Sequence, residues 1–388
     1  MFNNDSWKEY QEAIGLKIKA LEELLVAKAN FELTKDMDLA KSEWVNKKYL
    51  VVDKLNKQMS KEVIKTYQEI KKIADEAIKK TVEESTKELI KAVEIPNESL
   101  KKQTELSLQI GTNKLNQTLQ GNLQGLYNAA VQDFRSTIPK VELDNRNLFD
   151  VVMSYTRNKS DKGYVIYQNG RKVSYKSYIE MSVRTEMQQN ALYNLEASSK
   201  AAGIEFYVAS SHSDSADDHA EFQGKFYLAD GVVWKDEWSK YNFHPKYKYL
   251  SEVKALGFLT RPNCRHYVMP ITEDQLTQTK SVHKQLGMPN KKQNPKHYEN
   301  LERQRYNERQ IRKYQSRVNN DRLALKNVDD PSQKKHLQQE IRKNDYLAKK
   351  WRHEQEQHTN RNYLTRDRKR EQPGIVVNDI GVRKKLTV

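Results

Sequence analysis

The sequence is poor in the residues that cross-link or interrupt a chain. Among 388 residues there is one cysteine, Cys264, so an intrachain disulfide framework is excluded. No apolar run approaches the roughly 20 residues needed to span a bilayer, so no membrane span is expected. The start, Met1-Phe-Asn-Asn-Asp-Ser-Trp7, puts no apolar core behind a basic end and does not read as a signal peptide. These absences fit a soluble protein made in a reducing cytoplasm. Apolar residues are also scarce, at 37%, while charged residues reach 31%. That balance argues against one large globule and for much exposed helical surface, although the length allows two or three domains.

Charge of one sign is what the chain does have. The formal net charge is +16, and residues 276–388 hold 28 Lys and Arg against 13 Asp and Glu, or +15 of it. The rest is nearly neutral. Charge placed in one segment suggests a polyanionic partner such as nucleic acid; a solvated charged face is the plainer reading.

The first 140 residues read as an elongated helical region. Ile14, Ile18, Leu21 and Leu25 recur at helical spacing. Further helical runs cover 36–59 and 61–93, and Pro96 ends the second of these. Between Ser99 and Thr137, Leu108, Leu115, Leu119, Leu123 and Leu126 form a narrow apolar seam interrupted by Gly111, Gly121 and Gly125. Such a seam needs a partner, either another helix of this chain or a second copy in a homo-oligomer. Pro139 marks the expected boundary.

Residues 141–275 read as a small α+β module with short strands. Asn169-Gly170 between two β-prone runs predicts a hairpin with a tight turn. A helix over 174–202 ends at Gly203, a strand covers 204–209, and a second strand covers 222–228. The polar run from Ser210 to His219 follows the first strand at once, a position suited to a site. His212, Asp214, His219, Cys264 and His266 carry ligand atoms that zinc accepts. No pair of them has the close Cys-x-x-Cys or His-x-x-x-His spacing of a strong site, so no metal, cofactor or catalytic residue is assigned. Zinc and hydrolysis through His219 with an Asp stay as the alternatives, the latter without an evident nucleophile. The favoured reading is structural, with these groups hydrogen-bonding loop backbone and Arg184 as a buried cation beneath the loops.

The order of these motifs carries a resemblance. Arg184-Thr-Glu186 sits on a helix and Gly203-Ile204 opens a strand. Asp214, His219, Gln223, Gly224, then Asn263-Cys264-Arg265-His266 follow in sequence. This order resembles the phage minor capsid protein 2 family, related to the Mu F-like head morphogenesis proteins, best over 174–275. The resemblance implies a minor structural protein of a tailed-phage virion, in the capsid interior near the portal. It implies the portal protein, other capsid proteins and packaged double-stranded DNA as partners. Ser215 stands where relatives often carry cysteine, and Leu259-Thr-Arg-Pro262 replaces a glycine-rich lead-in. Both count against a metal or catalytic role in this copy.

Residues 276–372 read as a basic helical arm. A first helix carries Ile311, Tyr314, Val318 and Leu325; Asp329-Asp-Pro331 breaks it; a second carries Leu337, Ile341, Ala348 and Trp351. The two suit an αα-hairpin or coiled coil. Arg303, Arg305, Arg309, Arg312, Lys313 and Arg317 crowd the first, and Arg342, Lys343, Lys349 and Lys350 the second. Their mixture with Gln, Asn and Tyr suits phosphate contact without base reading. Residues 373–388 read as a loose tail or a short added strand. The whole is mainly α, in the α+β class, with a morphogenetic role. An enzyme built on the central motifs, or a sequence-nonspecific DNA-binding protein outside any virion, are the rivals.

Overall fold

Apolar stripes at helical spacing, rarely interrupted, dictate most of the architecture. A computed structural model describes residues 4–92, 97–158, 164–166, 170, 172–262, 264–278, 282–371, 375–377 and 383–385. Ten helices, α1 (Asn4–Leu33), α2 (Lys41–Ala92), α3 (Asn97–Leu143), α4 (Leu148–Asn158), α5 (Tyr175–Ala201), α6 (Leu250–Ala255), α7 (Val282–Gln285), α8 (Pro295–Ala324), α9 (Pro331–Arg361) and α10 (Arg368–Glu371), lie among the described residues. So do seven short strands, β1 (Tyr164–Ile166), β2 (Lys172–Ser174), β3 (Phe206–Ala209), β4 (Phe226–Leu228), β5 (Val268–Ile271), β6 (Ile375–Val377) and β7 (Arg383–Lys385). The chain is mainly α with a small antiparallel sheet, the α+β class its sequence predicts.

Three helical boundaries differ from expectation. The break expected near residue 60 is absent, and α2 runs unbroken for 52 residues. No glycine or proline lies between Lys41 and Ala92, and the buried stripe Leu55, Met59, Val63, Ile70 continues straight across. Pro139 does not end its helix either; α3 continues to Leu143. Proline removes one backbone donor, yet fully buried Ile138 and Val141 on either side hold that last turn down. The expected second run starts later, at Lys41, because Asp36 adopts a left-handed φ of 58° and turns the chain. Its carboxylate meets Lys47 at 2.9 Å and Lys48 at 3.0 Å.

The chain divides into two compact units, 1–12 with 71–118 and 180–299, and 13–70 with 119–179 and 300–388. Helices α1, α2 and α3 each contribute residues to both units. The first unit contains the sheet, in the order β4-β3-β5, antiparallel throughout, with Tyr207 facing Tyr227 on one side and Pro270 on the other. Every residue of β3, β4 and β5 is buried. Gly111 of α3 lies so close to Asn190 of α5 that an added Cβ would collide with that amide, which is why glycine is tolerated within a helix there.

In the second unit, Asn327 after α8 donates to Phe31 O at 3.1 Å and Thr34 Oγ1 at 2.9 Å at the end of α1. Helices α8 and α9 form an antiparallel hairpin: Tyr306 meets Trp351 edge-on at 5.6 Å, and His358 Nε2 donates to Asn300 O at 2.8 Å. Asp330 caps α9 by accepting from Gln333 N at 2.8 Å, with Pro331 in the first turn. The buried set of the two helices is rich in polar groups: Gln304, Asn307, Glu308, Asn320, Asn344, Gln355 and Thr359 are buried alongside Ile311, Val318, Leu323 and Leu337. The strands β6 and β7 pair antiparallel, within the segment that the sequence reads as a loose tail or a short added strand. The strands β1 and β2 also pair antiparallel, as Asn169-Gly170 predicts; Gly170 has a φ of 75°, and Asn169 lies outside the described residues.

One ion pair stands out in this second unit. Arg157 Nε at the end of α4 donates to Asp321 Oδ1 on α8 at 3.0 Å, and the Asp321 side chain is fully buried. Burial raises the Asp321 pKa against the pull of Arg157. An Arg157→Met chain leaves that carboxylate buried without its cation. We expect a cost of about 3 kcal/mol and a lower thermal midpoint. Asp321→Leu added to the same chain recovers most of the loss. Scanning calorimetry of the two variants checks both outcomes.

Candidate functional site

The register of the three-stranded sheet gathers the central motifs. β3 ends at Ala209, opposite Val268 at the start of β5, and Val208 lies opposite Phe226 at the start of β4. Residues 210–225 and 264–267 therefore converge at one end of the sheet. There Cys264 Sγ lies 3.7 Å from His219 Nδ1 and 3.5 Å from His266 Nδ1. All three side chains are buried, and their ligand-capable atoms lie within 4.8 Å of one another. Gln223 Oε1 accepts His212 N–H at 2.9 Å and pairs with His266 Nε2 at 3.0 Å. Ser210 Oγ accepts Tyr267 N–H and meets His212 Nε2, each at 3.0 Å. Gly224 follows with a φ of 73° and Ser211 Cβ 3.7 Å from where its own Cβ would stand. A left-handed turn under a neighbouring loop favours glycine.

Electrostatics make this a neutral cluster. Burial lowers the pKa of His212, His219 and His266; for His266, with His212 and His219 adding to the effect, it falls to about 3. Burial also pushes the Cys264 thiol up. The fold thus supplies the nucleophile that the sequence leaves without a candidate beside His219, but in the wrong ionic form. A thiol that stays protonated beside uncharged imidazoles is a poor nucleophile. Metal coordination is the chemistry that a buried His-Cys-His set performs best. The set is assembled from two loops 45 residues apart in sequence, so no local Cys-x-x-Cys spacing marks it.

A family model described as phage minor capsid protein 2 matches residues 21–360. The chain belongs to the phage minor capsid protein 2 family. No curated protein and no solved structure matches it. The match covers most of the chain, helical flanks included, where the resemblance in the central motifs is best over 174–275. Membership makes this a phage structural protein of the virion. No helix of the described residues is long and apolar enough to cross a membrane.

In this minor capsid protein the predicted site residues separate into distinct groups. His219, Gln223, Gly224, Cys264 and His266 come together at the sheet end. Asp214 and Arg265 pair with each other at 2.6 Å, tying the 210–219 loop to the lead-in of β5. Arg184 is half-buried on α5, and Asn263 lies outside the described residues. Of the arm cations, Arg303, Arg309, Arg342, Lys343, Lys349 and Lys350 are exposed, whereas Arg305, Arg312, Lys313 and Arg317 are half-buried. Arg305 is engaged by Glu302, and Arg312 by the carbonyl of Arg370.

Sequence reasoning assigns no individual role to four supports of the site, although Ser210 opens the polar run that it marks. Gln188, one helical turn beyond Arg184, donates to His266 O at 2.7 Å; the 184/188 spacing on one face of α5 is the available signal. Ser210 links two loops. Gln293, counted with the basic arm, donates to Ser215 O at 3.1 Å. The chain around it lies along the loop, with Lys291 N–H donating to Ser211 O at 3.0 Å and Asn294 N–H to Ser213 O at 2.8 Å. The fourth is His283 of α7, whose Nε2 donates to Ala209 O at 2.9 Å.

His283 gives the site an acid limit. Burial lowers its pKa from the ordinary 6.5, and its Nδ1 is buried with no partner among the described residues. The unfolded chain takes up the proton first as pH falls below 6.5. The stability of the neutral ring is therefore present above that pH and lost as pH falls toward the folded value. His283→Gln keeps a donor for Ala209 O but cannot titrate. Its thermal midpoint should fall less than that of the wild type between about pH 7 and about pH 5, as scanning fluorimetry would record.

Proposed function

We propose that this protein is a non-catalytic structural component of the phage head, seated near the portal, whose basic arm contacts packaged DNA. Family membership supports the virion role. The observation that carries the DNA contact is the segregation of +15 into residues 276–388, with an exposed face on α9. Arg342, Lys343, Tyr346, Lys349 and Lys350 recur there at helical spacing, with Tyr346 67% exposed. Lys343 and Lys349 lean on Glu340 at 3.6 Å and Asp345 at 2.8 Å, exposed pairs that are weak and readily exchanged for phosphate. On α8, Arg303 and Arg309 flank the Tyr306 ring at 5.3 and 6.0 Å.

A cationic helix face without a groove-reading element binds phosphate rather than base edges. The contact is then insensitive to sequence and weakens steeply with salt, because each neutralised phosphate releases a counterion. Of the half-buried cations of α8, Arg305 is engaged by Glu302 and Arg312 by the Arg370 carbonyl, so the binding load falls on the exposed set.

Two experiments test this reading. Peptides of this chain should be present in purified phage particles by mass spectrometry, and their absence would refute the virion role. Arg342→Glu, Lys343→Glu and Lys350→Glu in one chain should weaken duplex DNA binding uniformly across sequences. The slope of log affinity on log salt should fall by about one per lost phosphate contact, about three in all. These residues are exposed, so circular dichroism should stay unchanged; unaltered DNA retention would place the contact elsewhere.

A further inference from the structure

We propose that His219, Cys264 and His266 form a binding site for a divalent, thiol-seeking metal ion, zinc foremost, through His219 Nδ1, Cys264 Sγ and His266 Nδ1. The spacing fits. With Zn–S near 2.3 Å, Zn–N near 2.0–2.1 Å and tetrahedral angles, the sulfur-to-nitrogen edge is about 3.6 Å. The two edges here are 3.7 and 3.5 Å.

Protonation fits as well. His212 N–H can face only an oxygen, which fixes the Gln223 amide with Oε1 toward the cluster. His266 Nε2 must then donate its hydrogen to that oxygen, leaving a bare lone pair on Nδ1, the atom that faces the sulfur. An outer hydrogen bond that sets the tautomer and aims the ring is the usual support of a metal-bound histidine. His219 is only 4% exposed, and its Nε2 has no partner among the described residues. Among the described residues, its ring is thus held by no hydrogen bond other than its approach to Cys264.

The remaining neighbours are already engaged. His212 Nε2 meets Ser210 Oγ, and Asp214 is paired with Arg265. Three protein ligands leave a fourth position for water. Binding displaces the Cys264 thiol proton to solvent and forms a sulfur–metal bond, with no change of oxidation state. The ion would fasten the 210–225 loop to the lead-in of β5, doing for this sheet end what a disulfide cannot do with one cysteine.

Cobalt(II) is the deciding probe. Cys264 is the sole cysteine, so any thiolate-to-cobalt charge-transfer band in the full-length protein must come from it. We expect that band on titration, about one zinc per chain by elemental analysis after zinc loading and dialysis, and a lower thermal midpoint after chelation. Cys264→Ser should abolish the band and weaken zinc binding by at least tenfold, while His353→Ala, an exposed histidine of α9, should change neither. Folded wild-type protein that shows no charge-transfer band and retains no zinc would overturn the proposal. That result needs the wild type alone, so a poorly folding Cys264→Ser does not blunt it. It is also independent of whether particles contain the chain.

Discussion

The pairing of β3 with β5 sets where every residue of the buried cluster falls. Strand β3 is only four residues long, and its partners are the chain segments that follow two separate loops. Sliding β5 by one residue against β3 would turn its side chains to the opposite face. Cys264 and His266 lie just ahead of Val268, so they would lose their line to His219. Because all three strands are buried on both faces, that slip would cost side-chain fit on each face rather than exposure to water. The sheet contributes little area, but it fixes the alignment on which the loops depend.

The helices solve a different problem. With few apolar residues available, the chain concentrates them into narrow stripes, Leu115, Leu119, Leu123 and Leu126 on α3 and Leu55, Met59, Val63 and Ile70 on α2. A narrow stripe buries one face and leaves the rest wet, which is how a chain with 31% charged residues still folds. Where polar groups do become buried, they are paired with care in some places and left short in others. Arg157 reaches Asp321, while both amide atoms of Gln355 are without partners among the described residues.

The helical skeleton is legible in the sequence because its signals are local. Periodic leucines mark α3, Asp330-Pro331 marks the start of α9, and Gly203 marks the end of α5 with its φ of 69°. The departures have physical causes. The continuous stripe of α2 outweighs the break expected near residue 60, and Pro139 falls within a last turn that buried neighbours hold in place. The site is legible by residue type and order but not by geometry. His219 and Cys264 are joined only through strand pairing, which no local pattern encodes. Gln293 escapes notice because its basic surroundings suggest another destination. Sequence marks the arm's cations, yet it does not separate exposed Arg342 from half-buried Arg312, which differ in what packs over them.

The amide-rich interior of the α8–α9 hairpin has a thermodynamic corollary. Opening a leucine-lined hairpin exposes hydrocarbon and raises the heat capacity, whereas exposing amides lowers it. The two contributions here work against each other, so the free energy of opening should have a shallow curvature with temperature. A hairpin of this kind loses less of its cohesion on cooling than an oil-filled one, and depends more on solutes that compete for its amides, urea above all.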